Sequence, residues 1–411
     1  MKIVLIGSYI RRNFGGPSIL LSIVKVLRNT FIDAKLVYLS LSPDDTSVNP
    51  RDYGLDQIVI LPNPKLILIY FAFLLKELVN ANILIDIWGI LFSDSLERSL
   101  IYRIFEGLHL ILGKILKKCV IKYTADIGPF YSIWTRLFAR ICLNNLDLIF
   151  VRSRESRRYL ENIGIKTPIV VAPDAAFILD QKYVNRDVII PPEKLSERKI
   201  IVGVSVSHTI TKFSKSEEDY IRIISKIIEY LVKKYNALVI LIPNELFSYK
   251  KDDLYIARKI YNMVISKENV IILNKEYDAT ELKGIIGLCN LLIGSRYHSI
   301  IAALSQGIPT LAIGWHHKYN AVMELVGLEN FVCDIKKLDL NDICNKIDYL
   351  LKNNFNIKLK ILNKLKCIRR KVFYTGFIIS KIAYSKIFKI KTTSNSRSYS
   401  HIAFLRQNYK V

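Results

Sequence analysis

The chain has little of what marks a secreted, metal-binding or membrane-spanning protein. Its 411 residues include six cysteines, which lie far apart, form no C-x-x-C pair and have no histidine at metal-ligand spacing. We therefore expect free thiols in a reducing compartment and no metal site. The N-terminal apolar run, MKIVLIGS, is too short for a secretory signal, and the longest run, residues 66–75, spans about half of the ~20 residues of a membrane helix. These features predict a cytoplasmic protein without a transmembrane segment.

Acidic residues are missing from the C-terminal end of the chain. The formal net charge is +24, but residues 349–411 hold 15 Lys or Arg and no Asp or Glu, which leaves +9 for the first 348 residues. Because the body is only mildly basic, nucleic acid is not a predicted partner. Residues 391–411 are polar, Ser-rich and basic, and we expect them to be disordered.

The basic C-terminal segment favours a peripheral membrane contact. Its cations are interleaved with aromatic residues, namely Phe373, Tyr374, Phe377, Tyr384 and Phe388. Near an anionic bilayer each Lys or Arg contributes roughly 1 kcal/mol. The sequence therefore predicts attachment to the inner face of the membrane through this segment. The alternative is a packed helix with a solvated basic face.

The length of the chain favours two domains of about 150 to 200 residues each. Strand and helix patterns alternate in residues 1–180 and again in residues 200–338, which is typical of parallel α/β sheets. Residues 181–199 are polar, contain Pro191 and Pro192, and are predicted to be the linker. Residues 339–390 predict C-terminal helices. The predicted fold is α/β, with two Rossmann-like domains that face a cleft as in B-type glycosyltransferases.

One stretch, residues 293–317, combines a strand, a turn and a helix in a way that predicts an anion site. The strand ends in a turn with Arg296, Tyr297 and His298, and an apolar helix then runs to Gly307. Ligands of parallel sheets bind at the carboxyl ends of strands, and the start of a helix favours anions. We expect Arg296 and His298 to bind an anion there. The alternatives are that Arg296 pairs with a helix carboxylate and that His298 is an ordinary turn residue.

Other strand ends add candidates to this site. Arg152 directly follows the strand 148–151 and is predicted to be a third anion ligand. Asn13 and Gly15 lie in a glycine loop after the first strand, where backbone N–H groups can face an anion. That loop is not G-x-G-x-x-G, so dinucleotide binding is not predicted.

Three carboxylates near strand ends are candidate general bases. They are Asp94, Asp126 and Asp174. The alternative for Asp94 is a cap on the helix that begins near Leu96, and the alternative for Asp174 is a turn residue.

Four segments together resemble the polysaccharide pyruvyl transferase family. Residues 295–309, SRYHSIIAALSQGIP, resemble its S-R-x-H turn, apolar helix and G-x-P step, and residues 151–165, VRSRESRRYLENIGI, resemble its V-R-x-x-x-S element. APDAAF at 172–177 and IGP at 127–129 match its P-D-x-A-F and I-G-P steps. Asn13 opens N-F-G-G where the family has N-x-G-D, so the acid of that step is missing here.

The resemblance implies transfer of a pyruvyl group from phosphoenolpyruvate to two hydroxyls of a sugar in a polysaccharide or lipid-linked glycan, giving a cyclic ketal without a cofactor. The donor has a phosphate and a carboxylate, which require several cationic contacts. Protonation of its vinyl carbon and attack by a sugar hydroxyl require an acid and a base. Arg152, Arg296 and His298 would bind the donor, and His298 could also be the acid.

Two other functions remain open. A nucleotide-sugar-dependent glycosyltransferase or a sugar epimerase can have the same fold, although the helix SIIAALSQG at 299–307 lacks the acid that usually binds a ribose in such glycosyltransferases. The other alternative is a basic adaptor without catalysis, which would bind a membrane surface or nucleic acid through the C-terminal segment.

Overall fold

The computed structural model describes residues 1–7, 10–11, 13–63, 66–95, 100–194, 200–246 and 251–387. The strands in these ranges are β1 (Lys2–Ile6), β2 (Lys35–Ser40), β3 (Gln57–Ile60), β4 (Ile83–Asp86), β5 (Ile90–Leu91), β6 (Cys119–Ile127), β7 (Leu148–Val151), β8 (Ile169–Val171), β9 (Ile201–Ser205), β10 (Leu238–Ile242), β11 (Val270–Ile272), β12 (Leu291–Gly294), β13 (Thr310–Gly314) and β14 (Val332–Asp334).

Helices alternate with these strands along most of the chain. They are α1 (Gly15–Thr30), α2 (Ile67–Val79), α3 (Leu100–Ile115), α4 (Ile133–Leu143), α5 (Arg154–Asn162), α6 (Arg186–Ile189), α7 (His208–Thr211), α8 (Glu217–Tyr235), α9 (Asp253–Met263), α10 (Ala279–Ile286), α11 (Tyr297–Leu304), α12 (His317–Val326), α13 (Leu340–Lys352) and α14 (Asn354–Ile387). The short α6 lies within the predicted linker, whose residues 195–199 fall outside the described ranges.

The strands form two parallel sheets. The first has the order β3-β2-β1-β4-β6-β7-β8, with β5 beside the end of β6, and the second has the order β11-β10-β9-β12-β13-β14. The central strands are buried along their whole length, which explains their nearly continuous runs of Ile, Leu and Val. The predicted α/β fold with two Rossmann-like units is confirmed.

Each face of the first sheet is covered by different helices. Tyr70 and Leu74 of α2 lie in one core with buried residues of α3 and α4. On the opposite face, α1 packs with Val372 and Ile379 of α14. The sheet is therefore sandwiched between two helix layers, and its carboxyl edge is left free for a site.

Helix α14 connects the two domains. Ile361 and Leu365 are buried in the core of the second domain, whereas Val372 and Ile379 are buried in that of the first. Up to Ile387 the C-terminal segment is thus a packed helix, as the alternative interpretation has it. Residues 388–411, including the predicted tail, lie outside the described residues. The membrane contact predicted for the basic segment, residues 349–411, stays a prediction. In the part of the chain that the structure describes, no helix is long and apolar enough to cross a membrane.

Some local predictions differ from the structure. Strand β6 extends to Ile127, so Asp126 lies within the strand rather than after it. The short strand β14 was not predicted. Four of the six cysteines are buried as expected, but Cys344 is half-buried and Cys367 is exposed.

Candidate functional site

The carboxyl ends of β6, β7 and β8 bring Asp126, Arg152 and Asp174 together. Nη1 of Arg152 lies 3.4 Å from Oδ2 of Asp126 and donates to the carbonyl of Gly89 at 3.2 Å, while its Nε lies 2.8 Å from Oδ2 of Asp174. All three charged side chains are buried. Burial acts to lower the pKa of Arg152, but the two carboxylates outweigh it and the pKa is raised. The guanidinium is therefore always charged.

The second domain meets this group from the opposite side. The Arg152 guanidinium lies 5.4 Å from the ring centroid of Tyr297, and Nε2 of His298 lies 3.7 Å from Oδ2 of Asp174. Nε2 of His317 lies 3.7 Å from Oδ1 of Asp126. Tyr297 and His298 open α11 and His317 opens α12, because each of these helices follows the carboxyl end of a strand. We name these residues the interdomain cluster: Asp126, Arg152, Asp174, Tyr297, His298 and His317.

Several polar atoms of the interdomain cluster are buried without a hydrogen bond. Among the described residues, Oδ1 of Asp126, Nη2 of Arg152, Oδ2 of Asp174 and Nε2 of His298 have no hydrogen-bond partner. The Nε of Arg152 is also without one, since its contact with Asp174 lacks hydrogen-bond alignment. Each such group costs about 1–3 kcal/mol unless it is paired. These atoms therefore point to a polar ligand between the domains.

The histidines of the interdomain cluster are neutral at physiological pH. Burial lowers the pKa of His298 to about 3, although the nearby Asp174 acts to raise it. Burial also lowers the pKa of His317, against the effect of Asp126. Both imidazoles can therefore take up a proton when a negatively charged ligand enters.

Lys318 is a site residue that the sequence analysis missed. Its Nζ lies 5.1 Å from the ring centroid of Tyr297, 5.4 Å from that of Trp315 and 5.6 Å from that of Tyr319. Burial lowers its pKa to about 8. No carboxylate within the described ranges forms an ion pair with it. Lys318 lies four residues after the end of β13, as His298 lies four residues after the end of β12, so the signal that identified His298 could have found it.

Arg296 has carboxylate partners within its own domain. Its Nε donates to Asp253 at 2.8 Å, and its Nη2 contacts both Asp253 and Glu245. Asp253, the first residue of α9, is completely buried, and burial raises its pKa. The alternative interpretation, pairing with a helix carboxylate, therefore describes the observed contacts. Direct contact of Arg296 with an anion stays a prediction, and the structure gives this guanidinium a positioning contact.

The glycine loop is held by Asn13. Its Oδ1 accepts the N–H groups of Gly15 and Gly16 at 2.7 and 3.3 Å, and its Nδ2 donates to Glu245 at 2.8 Å. The N–H groups that were expected to face an anion are thus engaged by Asn13. Since Glu245 also contacts Arg296, Asn13 connects the first domain to that ion pair.

Asp94 is engaged at the start of α4. Its carboxylate accepts the N–H groups of Tyr131 and Ser132 at 2.7 and 2.9 Å and the hydroxyl of Thr135 at 2.8 Å, and it forms an ion pair with Arg103. It therefore stabilises the turn that leads into α4, whose N-cap is Ser132, and the start of the helix predicted near Leu96 lies outside the described residues. Of the three candidate bases, Asp126 and Asp174 belong to the interdomain cluster, and Asp94 has a structural role.

Comparison with known proteins identifies the family. The family model for polysaccharide pyruvyl transferase matches residues 13–317, which is most of the chain and includes every residue of the interdomain cluster. The chain belongs to the polysaccharide pyruvyl transferase family. It is also 23% identical over 296 residues to the amylovoran biosynthesis protein AmsJ of Erwinia amylovora, and the match covers 69% of each chain.

Solved structures with other activities share the fold of this pyruvyl transferase family member. The UDP-GlcNAc 2-epimerase of Neisseria meningitidis, bound to UDP-GlcNAc, superposes with a TM-score of 0.59 at 13% identity, covering 93% of this chain and 100% of that one. Sucrose-phosphate synthase of Thermosynechococcus elongatus gives a TM-score of 0.57 at 13% identity, covering 95% and 99%. At this identity the likeness concerns the fold alone.

A buried ionic group holds the loop beneath Arg152. Lys122 donates to Asp86 at 2.8 Å and to the carbonyl of Trp88 at 2.6 Å, and His109 lies 2.7 Å from Asp86. These three charged or polar side chains are almost fully buried. Because they fix the backbone that leads to Gly89, they position the carbonyl that accepts from Arg152.

A substitution at Gly15 is expected to act through His298. A Cβ at Gly15 would lie 2.5 Å from Nδ1 and 2.9 Å from Cε1 of the His298 ring, so Gly15→Ala must displace that ring. We expect the variant to fold and to bind phosphoenolpyruvate roughly tenfold more weakly, because a displaced imidazole loses a directional contact with the ligand. In a His298→Ala background, Gly15→Ala should have no further effect on binding. Independent, additive losses measured by calorimetry would contradict this coupling.

Proposed function

We propose that this protein transfers a pyruvyl group from phosphoenolpyruvate to two hydroxyls of a sugar in a polysaccharide or lipid-linked glycan. The vinyl carbon of the donor gains a proton, two bonds form from sugar oxygens to the central carbon, and the bond to the phosphate oxygen breaks. One hydroxyl proton compensates for the proton gained by the vinyl carbon, and the other leaves with inorganic phosphate. The proposal is supported by membership of the family and by the buried polar atoms of the interdomain cluster that have no hydrogen bond among the described residues.

Arg152 of the interdomain cluster and the nearby Lys318 are cations suited to binding the donor. Nη2 of Arg152 lacks a hydrogen-bond partner among the described residues, and Lys318 lies on the same tyrosine ring as Arg152. A planar guanidinium fork favours a carboxylate or phosphate, and a buried ammonium adds a point charge. In the proposal these two groups bind phosphoenolpyruvate. Arg296 keeps the turn that contains His298 in place through its contacts with Asp253 and Glu245.

His298 and Asp126 are the proposed acid and base of the reaction. His298 protonates the vinyl carbon once the donor has raised its pKa, and Asp174 stabilises the imidazolium from 3.7 Å. Asp126 is the base for the sugar hydroxyl, because its Oδ1 carries no hydrogen bond among the described residues. A binding role without proton transfer remains the alternative for His298.

Charge balance predicts that donor binding takes up protons. The charges of Arg152 and of the nearby Lys318 offset those of Asp126 and Asp174, and the histidines are neutral, so these residues together have no net positive charge. A phosphate monoester carries about −1.5 to −2 at neutral pH, and its field raises the pKa of a neighbouring imidazole. Because the bound state then holds more protons than the free protein, affinity for phosphoenolpyruvate should rise as pH falls from 8 to 6.5.

Calorimetry tests this proton uptake and the proposed function together. The full-length protein is titrated with phosphoenolpyruvate in two buffers of different ionisation enthalpy. The difference between the two apparent binding enthalpies should correspond to uptake of about one proton per donor bound. His298→Gln should still fold and should lose the part of that difference that His298 contributes, whereas the part from Lys318, whose lowered pKa of about 8 the donor also raises, should remain. Saturable binding that is the same in both buffers and at pH 6.5 and 8 would refute the proton role of His298. Failure of the wild-type protein to bind the donor would refute the function itself.

A further inference from the structure

Two helices of the first domain, α2 and α4, expose large apolar side chains. On and beside α2 the exposed fraction is 85% for Leu68, 50% for Ile69 and 44% for Phe73. On and beside α4 it is 73% for Ile133 and 69% for Trp134. We name the apolar helix face by its members: Leu66, Leu68, Ile69, Phe71, Phe73, Tyr131, Ile133, Trp134, Leu137 and Ile141. Exposed large apolar side chains in this number on one side of a domain are typical of interaction surfaces.

The apolar helix face lies on one side of the first domain. Helix α3 packs between α2 and α4, with Tyr70 of α2 against Phe105 of α3, and Cys142 and Phe138 of α4 against Gly107 of α3. All three helices cover the same face of the sheet. The inner sides of α2 and α4 are buried in that core, so their exposed apolar residues are additional to what the fold requires.

The polar residues of α2 and α4 carry one sign of charge. Their exposed ionisable residues are Lys76, Arg136 and Arg140. In the described parts of these two helices the one acidic residue is Glu77, which is largely buried and paired with Lys2 at 2.7 Å. An apolar face with Trp and Tyr, bordered by cations and lacking exposed carboxylates, matches the interface of an anionic bilayer.

The position of the face is also informative. Helix α4 begins shortly after β6, the strand that contains Asp126, and helix starts in a parallel sheet lie at the carboxyl edge where the cleft opens. Tyr131, Ile133 and Trp134 therefore lie at the same edge of the domain as the interdomain cluster. A partner that binds the apolar helix face would therefore lie beside the opening of the cleft.

We propose that the apolar helix face docks the protein on an anionic lipid bilayer, with α2 and α4 lying in the headgroup region. Helix α2 has 13 residues, about 20 Å, which is too short to span the hydrocarbon core of roughly 30 Å. A symmetric contact with a second copy is less favourable, because it brings Arg136, Arg140 and Lys76 against their own equivalents. The docking does not depend on the reaction proposed above. Its consequence, access to a lipid-linked acceptor, does rest on that proposed function.

Vesicle sedimentation tests the docking with the full chain. Wild-type protein should sediment with phosphatidylcholine vesicles that contain phosphatidylglycerol, and much less with phosphatidylcholine alone. Ile133→Glu combined with Trp134→Glu should weaken this partitioning roughly tenfold or more. Both acids lie in the first turn of α4, where they suit the helix dipole, so the fold should be retained.

A matched control is Phe355→Glu, which also places an acid in the first turn of a helix, at a side chain 72% exposed on α14. It should leave vesicle binding unchanged. Equal binding by the Ile133/Trp134 variant and wild type would overturn the proposal. So would loss of binding on removal of residues 388–411 alone, which would assign the contact to the tail. A wild-type dimer in lipid-free solution that the double variant dissociates, without vesicle binding, would assign the face to a second copy.

Discussion

Arg152→Ala is expected to weaken donor binding strongly and to destabilise the protein at the same time. Arg152 is buried against Asp126 and Asp174, so its removal leaves two buried carboxylates without a cation. Breaking a buried ion pair in this way costs about 3–5 kcal/mol of folding stability. Loss of the guanidinium also removes a charge-assisted contact to the donor worth about 1.5–3 kcal/mol, or roughly tenfold to a hundredfold in affinity.

Urea unfolding and calorimetry separate these two effects for Arg152. Arg157→Ala is the matched control, since Arg157 lies on the same segment but has a side chain that is 41% exposed and forms an ion pair with Glu161 on its own helix. That variant should change stability by less than about 1 kcal/mol and leave donor affinity unchanged. Equal effects of the two substitutions would show that Arg152 has no special role.

Arg296→Ala is expected to have a comparably large effect on stability and a smaller, indirect effect on the donor. It would leave the buried carboxylate of Asp253 without its cation, again at a cost of about 3–5 kcal/mol. Arg296→Lys should restore only part of this, because an ammonium lacks the planar fork that contacts both Asp253 and Glu245. The turn with His298 should shift as a result, and turnover should fall.

A double-mutant cycle decides how Arg296 acts. If its main contact is Asp253, then Asp253→Asn should remove most of the additional loss caused by Arg296→Ala in urea unfolding. Donor affinity that drops a hundredfold in Arg296→Ala with no change in stability would instead make this residue a direct ligand, as the sequence predicts.

The sequence was sufficient for the fold and for part of the site. Continuous apolar strands and glycine turns predicted two parallel α/β units, and the strand ends drew attention to Asp126, Arg152 and Asp174, which the structure brings together. This worked because in a parallel sheet the carboxyl ends of neighbouring strands share one edge, whatever their separation along the chain.

The partners of the charged residues could not be predicted in the same way. Arg296 contacts Glu245 and Asp253, which are 51 and 43 residues away along the chain, so no local pattern connects them. Asp94 accepts from the turn before α4, 37 residues later along the chain, so its partner is also distant in sequence. Lys318 is different, because its position after a strand was visible and was not used.

The most direct test of the account compares two ligands on the wild-type protein. The account predicts that calorimetry shows saturable binding of phosphoenolpyruvate and no tight binding of uridine diphosphate. The affinity for phosphoenolpyruvate should be roughly tenfold to a hundredfold weaker in Arg152→Ala and unchanged in Arg157→Ala. Tight binding of uridine diphosphate with no binding of phosphoenolpyruvate would contradict the pyruvyl-transfer function and leave the two-domain fold intact.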